Sequence, residues 1–113
     1  MDCIFCKISN GEIPVNLVYQ DDKVIAFHDI NPAAPVHILI VPREHIASLL
    51  HVEDEQSALI AHAFKVAKLL ATENKISEKG FRIVNNCGDD GGQTVQHIHF
   101  HLMGGRSMTW PPG

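Results

Sequence analysis

Three histidines at alternate positions constrain this chain more than any other feature. In His97-Ile98-His99-Phe100-His101-Leu102-Met103, polar and apolar side chains alternate with the period of an extended strand. The imidazoles therefore share one face, and Ile98, Phe100 and Leu102 share the other. With 8 His in 113 residues, a given histidine finds two more at +2 and +4 with a chance of about 0.005, roughly 0.04 over eight starts. Accident is disfavoured. Three readings stay open for such a row: a polar solvent face, a metal chelated by neutral imidazoles, or catalysis by a nucleophilic histidine whose neighbours bind charge and move protons.

The rest of the chain reads as the scaffold for that row. Cys3 to Ser9 predicts a short helix stopped by Asn10-Gly11, residues that tolerate the backbone of a helix end. Leu17-Val18-Tyr19 and Val24 to His28 predict two strands joined by a polar turn. Asn31-Pro32-Ala33-Ala34-Pro35 interrupts regular structure twice, and Val36 to Val41, ended by Pro42, reads as a central strand. From Asp54 to Thr72, Leu59, Ala63, Val66, Leu69 and Leu70 recur at helical spacing with Phe64 and Ala67 beside them. Phe81 to Asn85 and His97 to Met103 complete five strands. The expectation is one α+β domain over residues 1–113, with a five-stranded, mainly antiparallel sheet, one long helix and one short helix.

Charge and cysteine usage exclude several classes of function. With 9 Lys+Arg against 13 Asp+Glu, a formal net charge of −4, there is no basic footprint for nucleic acid or an anionic membrane. No stretch is apolar enough for a spanning helix, and the start lacks the basic and apolar regions of a leader. Three cysteines make a disulfide framework improbable, so a reducing cytoplasm is expected.

Two further motifs bear on chemistry. Gly88-Asp89-Asp90-Gly91-Gly92-Gln93-Thr94-Val95-Gln96 packs glycines and hydrogen-bonding side chains just before the imidazoles, and glycine lets backbone N–H groups approach phosphate oxygens. Cys3-Ile4-Phe5-Cys6 has metal-ligand spacing but is only half a zinc site. Cys87 reads as an ordinary thiol.

The row resembles the His-φ-His-φ-His-φ-φ signature (φ, apolar) of the histidine triad superfamily of nucleotide hydrolases and transferases. Phe27-His28-Asp29-Ile30, Pro35-Val36-His37, Val84-Asn85-Asn86, Gly91-Gly92-Gln93-Thr94 and the ending Gly104 to Gly113 extend the match. The Trp110-Pro111-Pro112-Gly113 tail resembles the histidine-triad nucleotide-binding, HINT-like branch. The resemblance implies that His99 attacks the α-phosphorus of a purine nucleoside phosphoramidate and forms a nucleotidyl-histidine that water hydrolyses. The backbone carbonyl of His97 would fix the His99 tautomer, His101 would contact the phosphoryl group and pass a proton to the departing amine, and His37 would line the same pocket. Gln93 and Thr94, with their backbone amides, together with Gly92 and Asn86 would hold the phosphate, Asp29 the ribose hydroxyls, and Ile4, Phe5, Ile8, Phe27 and Ile30 the base. A structural zinc would be completed by His45 and His97 joining Cys3 and Cys6, with no cofactor needed for catalysis. The family pairs two subunits into one continuous sheet, which implies a homodimer. Dinucleoside polyphosphate hydrolysis and a regulatory nucleotide-binding module are the alternatives.

Overall fold

A computed structural model describes residues 2–113. Five strands, β1 (Leu17–Gln20), β2 (Val24–His28), β3 (Val36–Pro42), β4 (Phe81–Val84) and β5 (Phe100–Gly104), form one sheet in the order β1-β2-β3-β5-β4. Every neighbouring pair is antiparallel. Helix α1 (Ile4–Ser9) and the long α2 (Ser57–Glu73) complete the α+β architecture.

Strand alternation divides the core into two layers. On one face Ala26, Ile38, Ile40, Ile98, Phe100 and Leu102 pack with Ala63, Val66, Ala67, Leu70 and Ala71 of α2. On the other, Ile25, Phe27, Leu39 and Val41 pack with Phe5 and Ile8 of α1. The central strands β2 and β3 are thus buried on both sides and read as nearly continuous apolar runs. The helix is rotated from the stripe expected of it. Leu69 and Phe64 are 43% and 47% exposed, because the small residues Ala63, Ala67 and Ala71 take the contact line and let α2 lie close on the sheet. Phe64 meets Phe100 only edge-on, with ring centroids 5.5 Å apart.

Two boundaries differ from expectation for identifiable reasons. Residues 54–56 form a 3-10 turn ahead of α2, tied by reciprocal bonds between Glu53 and Gln56, so the α-helix begins at Ser57. The histidine segment pairs as a strand only from Phe100. Its ladder with β3 stops at the Ile40–Phe100 pair, two residues short of the end of β3, and the Ile98 N–H donates instead to the Ile46 carbonyl at 2.7 Å. The alternation of side chains nevertheless continues back to His97, with Ile98 in the α2 layer and His97 and His99 opposite Phe5.

One polar clamp joins α2 to the β1–β2 turn. Asp21 Oδ1 accepts the N–H groups of Lys23 and Val24, both at 2.8 Å, while Oδ2 accepts the Tyr19 hydroxyl at 2.8 Å and His62 Nε2–H at 2.6 Å. Burial alone would raise the Asp21 carboxyl. The bonds from His62, Val24, Lys23 and Tyr19 outweigh it and hold the group well below the usual carboxylate range. Replacing Asp21 by Asn is expected to cost about 1–3 kcal/mol at neutral pH. A carboxyl with a lowered native pKa contributes fully above its unfolded value of about 4 and loses the contribution as pH falls toward the native value. The stability gap between wild type and Asp21→Asn should therefore close on acidification, as read by urea melts; a gap independent of pH would contradict this.

Candidate active site

Three elements bring the imidazoles together. β3 contributes His37 and β5 contributes His101, neighbours across the sheet because Leu39 pairs with His101 and His37 with Met103. The extended lead-in to β5 contributes His97 and His99, both buried. Hydrogen bonds then assign each ring its tautomer, since a backbone carbonyl can only accept and a backbone N–H can only donate.

His99 Nδ1 lies 2.7 Å from the His97 carbonyl, so Nδ1 carries the proton and Nε2 keeps a bare lone pair. Phe5 stands edge-on to this ring with centroids 5.0 Å apart and His101 at 5.2 Å. At His37, Nδ1 accepts the Ala33 N–H at 2.9 Å, so the ring proton sits on Nε2 and points to His101 Nδ1, also at 2.9 Å. His101 is left with its proton on Nε2. Asp29 Oδ2 lies 3.4 Å from His37 Nε2, and its Oδ1 accepts the Asn31 N–H at 2.8 Å. Burial, with His99 and His37 acting in the same direction and Asp29 opposing, pushes the His101 imidazole down to about 4. It is neutral at physiological pH. The site thus presents one bare ring nitrogen beside one N–H donor, an arrangement suited to nucleophilic attack on a centre that bears anionic oxygens.

His97 belongs to a different constellation. Its Nε2–H donates to the Pro42 carbonyl at 2.7 Å, which bares Nδ1, and that atom lies 3.1 Å from His45 Nδ1, 3.3 Å from Cys3 Sγ and 3.6 Å from Cys6 Sγ. All four donor atoms lie within 4.8 Å of one another. Burial, and then the neighbouring Cys3 sulfur, raises the Cys6 thiol above its usual range, so two thiolates at this spot require a cation. Two sulfurs and two ring nitrogens, one orienting its ring through a backbone carbonyl, fit a tetrahedral zinc. Asp29, His37 and His101 also converge, but Nδ1 of His37 is occupied by Ala33 and its Nε2 is a donor, so hydrogen bonds already satisfy that set. The reading of one ion held by His97, His99 and His101 does not match this arrangement, because His97 is engaged with the cysteines and His101 with His37.

The family model of the HIT domain matches residues 10–108. The chain belongs to the histidine triad (HIT) family. It is 50% identical over 112 residues to a HIT-like protein of Synechococcus elongatus, covering 99% of this chain and 97% of that one. It is 49% identical over 114 residues to a 14 kDa zinc-binding protein of Brassica juncea, covering 99% of this chain and 100% of that one. A HIT family hydrolase from Legionella pneumophila has the same fold with a TM-score of 0.97 and 52% identity, covering 99% of this chain and 100% of its own. A histidine triad protein from Clostridium difficile gives 0.93 and 50%, covering 96% and 95% respectively.

The remaining residues predicted for this HIT site are distributed unevenly. Phe5, Ile8 and Phe27 sit together in the layer under the imidazoles, with Phe5 and Phe27 edge to face at 5.9 Å, whereas Ile30 is 91% exposed and Ile4 is largely exposed. In the connection from β4 to β5, Gly91 is confined, since a Cβ there would lie 2.3 Å from the Cys87 carbonyl oxygen, and Gly92 adopts φ +78°. Thr94 is exposed, and Asn86 Nδ2 donates to the Gly91 carbonyl at 2.7 Å. Gln93 turns inward. Its side-chain Nε2 donates to the carbonyls of Ala47 and Val95, its Oε1 accepts the Gly88 N–H, and its backbone N–H donates to the Gly88 carbonyl. That side chain clamps the loop.

Asn85 is the residue that sequence reasoning passed over. Beyond the end of β4 its Nδ2 donates to the His99 carbonyl at 2.9 Å, replacing a ladder bond and fixing the backbone of the bare-nitrogen histidine, while its buried Oδ1 has no partner among the described residues. Cys87 also departs from an ordinary thiol: the Leu50 N–H, then the Ser48 hydroxyl and Leu49 N–H, lower its pKa. Because Gln93 satisfies three loop groups, Gln93→Ala should destabilise the free protein by about 2–3 kcal/mol. Denaturant melts without nucleotide check this, and an unchanged midpoint would return Gln93 to a ligand-binding role alone.

Proposed function

We propose that this HIT protein is a hydrolase of purine nucleoside 5′-phosphoramidates, cleaving the P–N bond, AMP-lysine and aminoacyl-adenylate-like substrates included, through a nucleotidyl-histidine. The observation that carries the reading is the bond from His99 Nδ1–H to the His97 carbonyl, which leaves Nε2 as the free nucleophile. The hydrolase name of the Legionella pneumophila relative supports the reaction class.

In the first step the His99 Nε2 lone pair forms a bond to the α-phosphorus as the P–N bond breaks, and the departing nitrogen keeps that electron pair. It takes a proton from the His37–His101 pair. An anionic phosphoryl group against these rings favours one added proton on the pair, so this proton enters with the substrate. In the second step water attacks phosphorus, the P–Nε2 bond breaks with its electrons returning to the ring, and the proton released by water goes back to the pair. Nucleotide and amine leave, and the histidines are restored. No metal is required by this sequence.

Phe5, Ile8, Phe27 and Ile30 supply an apolar slot for a purine, Asp29 two acceptors for the ribose hydroxyls, and Gly92, Thr94 and Asn86 the surroundings of the phosphate. His99→Ala should lower phosphoramidate turnover by about 10³-fold or more while retaining nucleotide affinity within a few fold. Full turnover in that variant would reject the nucleophile.

Cys3, Cys6, His45 and His97 are the residues that would hold a structural zinc, which tethers α1 to the sheet and so stabilises the fold. The zinc-binding name of the Brassica juncea relative supports this assignment. Chelation should lower Tm by about 5–10 °C, an effect absent in Cys6→Ala, with turnover below the melt retained. Equal Tm with and without chelator would argue against a bound ion.

A homodimer is also part of this reading. β4 is a sheet edge, Phe81 on it is exposed, and the tail is tied to that edge by Arg82 Nη2 donating to the Thr109 carbonyl at 2.8 Å. Pairing at that edge would bring each tail toward the partner's site, where it would influence leaving-group choice. Three unpaired cysteines fit a cytoplasmic location.

A further inference from the structure

We infer that Arg106, in the tail and outside the histidine row, is a positioning residue that sets the tautomer of His37 and hence the direction of the hydrogen bond between His37 and His101. The inference rests on the reading of the imidazole cluster as the catalytic site, and it concerns how that site is held in working order.

The contacts form a continuous chain. Arg106 Nε donates to the Ala33 carbonyl at 3.0 Å, and its Nη1 donates to the Ser107 carbonyl at 3.1 Å. Ala33 donates its own N–H to His37 Nδ1 at 2.9 Å, and His37 Nε2 lies 2.9 Å from His101 Nδ1. The carbonyl gripped by Arg106 and the N–H given to His37 belong to consecutive peptide units on either side of the Ala33 Cα. Anchoring that carbonyl leaves only φ and ψ of Ala33 between a held peptide and the one that carries the N–H, which narrows the positions the N–H can take. The loop needs such a hold. Residues 29–35 lie outside any strand or helix, and prolines at 32 and 35 have no N–H with which to tie it down. The tail is well placed to supply the hold, because Gly105 adopts φ +93° and passes so close to Pro35 that a Cβ there would lie 2.9 Å from the proline Cβ.

The chemical consequence follows from direction. With the Ala33 N–H in place, His37 Nδ1 can only accept, so Nε2–H donates to His101 Nδ1 and the His101 proton faces outward on Nε2. Without that N–H, His37 is free to take its proton on Nδ1. The bond to His101 then reverses, and His101 Nε2 becomes a bare acceptor turned toward anionic phosphoryl oxygens. A neutral imidazole in the wrong tautomer keeps its position but loses its function.

The test uses the full chain with Arg106→Met, which keeps the apolar stem and removes the donors, and Arg106→Gln as a second variant in case the first does not fold. ¹⁵N NMR of the imidazoles above their titration range reads the tautomer directly and needs no turnover. Wild type should show His37 as the Nε2–H form, and the folded variants a mixture with the Nδ1–H form. Millimolar guanidinium should restore the wild-type signal. In parallel, kcat for a nucleoside phosphoramidate should fall about 10-fold to 100-fold in the variants, with KM changed less than about twofold. A wild-type His37 tautomer in a folded variant overturns the inference, whatever its activity, and so does a tautomer change that leaves kcat untouched in an active enzyme. Absence of phosphoramidate turnover in wild type would instead fall on the proposed function, leaving the tautomer result to stand by itself.

Discussion

The bond from His99 Nδ1–H to the carbonyl two residues earlier is the constraint around which the rest of this structure is arranged. An imidazole has two nitrogens and, when neutral, one proton; the ring is a nucleophile only at the nitrogen without it. A backbone carbonyl inside the protein can only accept, so it fixes the proton on Nδ1 and turns Nε2 outward. The His97 carbonyl can serve this ring because the segment is extended but not paired with β3, the ladder between β3 and β5 ending at the Ile40–Phe100 pair. Asn85 then secures the peptide on the other side of the nucleophile by donating to the His99 carbonyl.

The same logic recurs at each imidazole, and it divides the row by function. The Pro42 carbonyl accepts the hydrogen bond of His97 Nε2–H and so leaves Nδ1 bare toward two sulfurs and His45, which suits a cation. The Ala33 N–H donates a hydrogen bond to His37 Nδ1 and so orients His101, which suits proton transfer. Three histidines that look equivalent in sequence are made different by their partners: the Pro42 carbonyl for His97, the His97 carbonyl for His99, and the His37 ring, itself set by Ala33, for His101. Burial adds the other half of the effect by holding His101 neutral at physiological pH in the free protein, so that the pair takes up a proton only when an anionic phosphoryl group lies against it.

The alternation of residues 97–102 was enough to identify a shared face, a buried back and the five-stranded sheet that supports them, because strand periodicity is a local property. The α+β order was equally legible from short β-rich runs around one long helical pattern. The rotation of α2 was not. Helical spacing admits both Leu69 and Ala71 to the buried stripe, and the choice between them depends on how closely the helix approaches the sheet. The roles of Asn85, Ala33 and Arg106 lay beyond sequence reading for a related reason: all three act through or upon a backbone group that no side-chain pattern reveals, and Asn85 and Arg106 reach theirs across 14 and 73 positions. The clamp made by the Gln93 side chain was not legible either, because the Ala47 carbonyl that it holds lies 46 positions away in sequence.

The most direct test of the account is mass spectrometry of the protein acid- or base-quenched during turnover of a purine nucleoside phosphoramidate. The peptide containing residues 97–101 is expected to carry one nucleotidyl group on His99, which disappears as substrate is exhausted. Steady turnover with that peptide unmodified at every quench time, under conditions in which a phosphorus–imidazole bond survives, would contradict it.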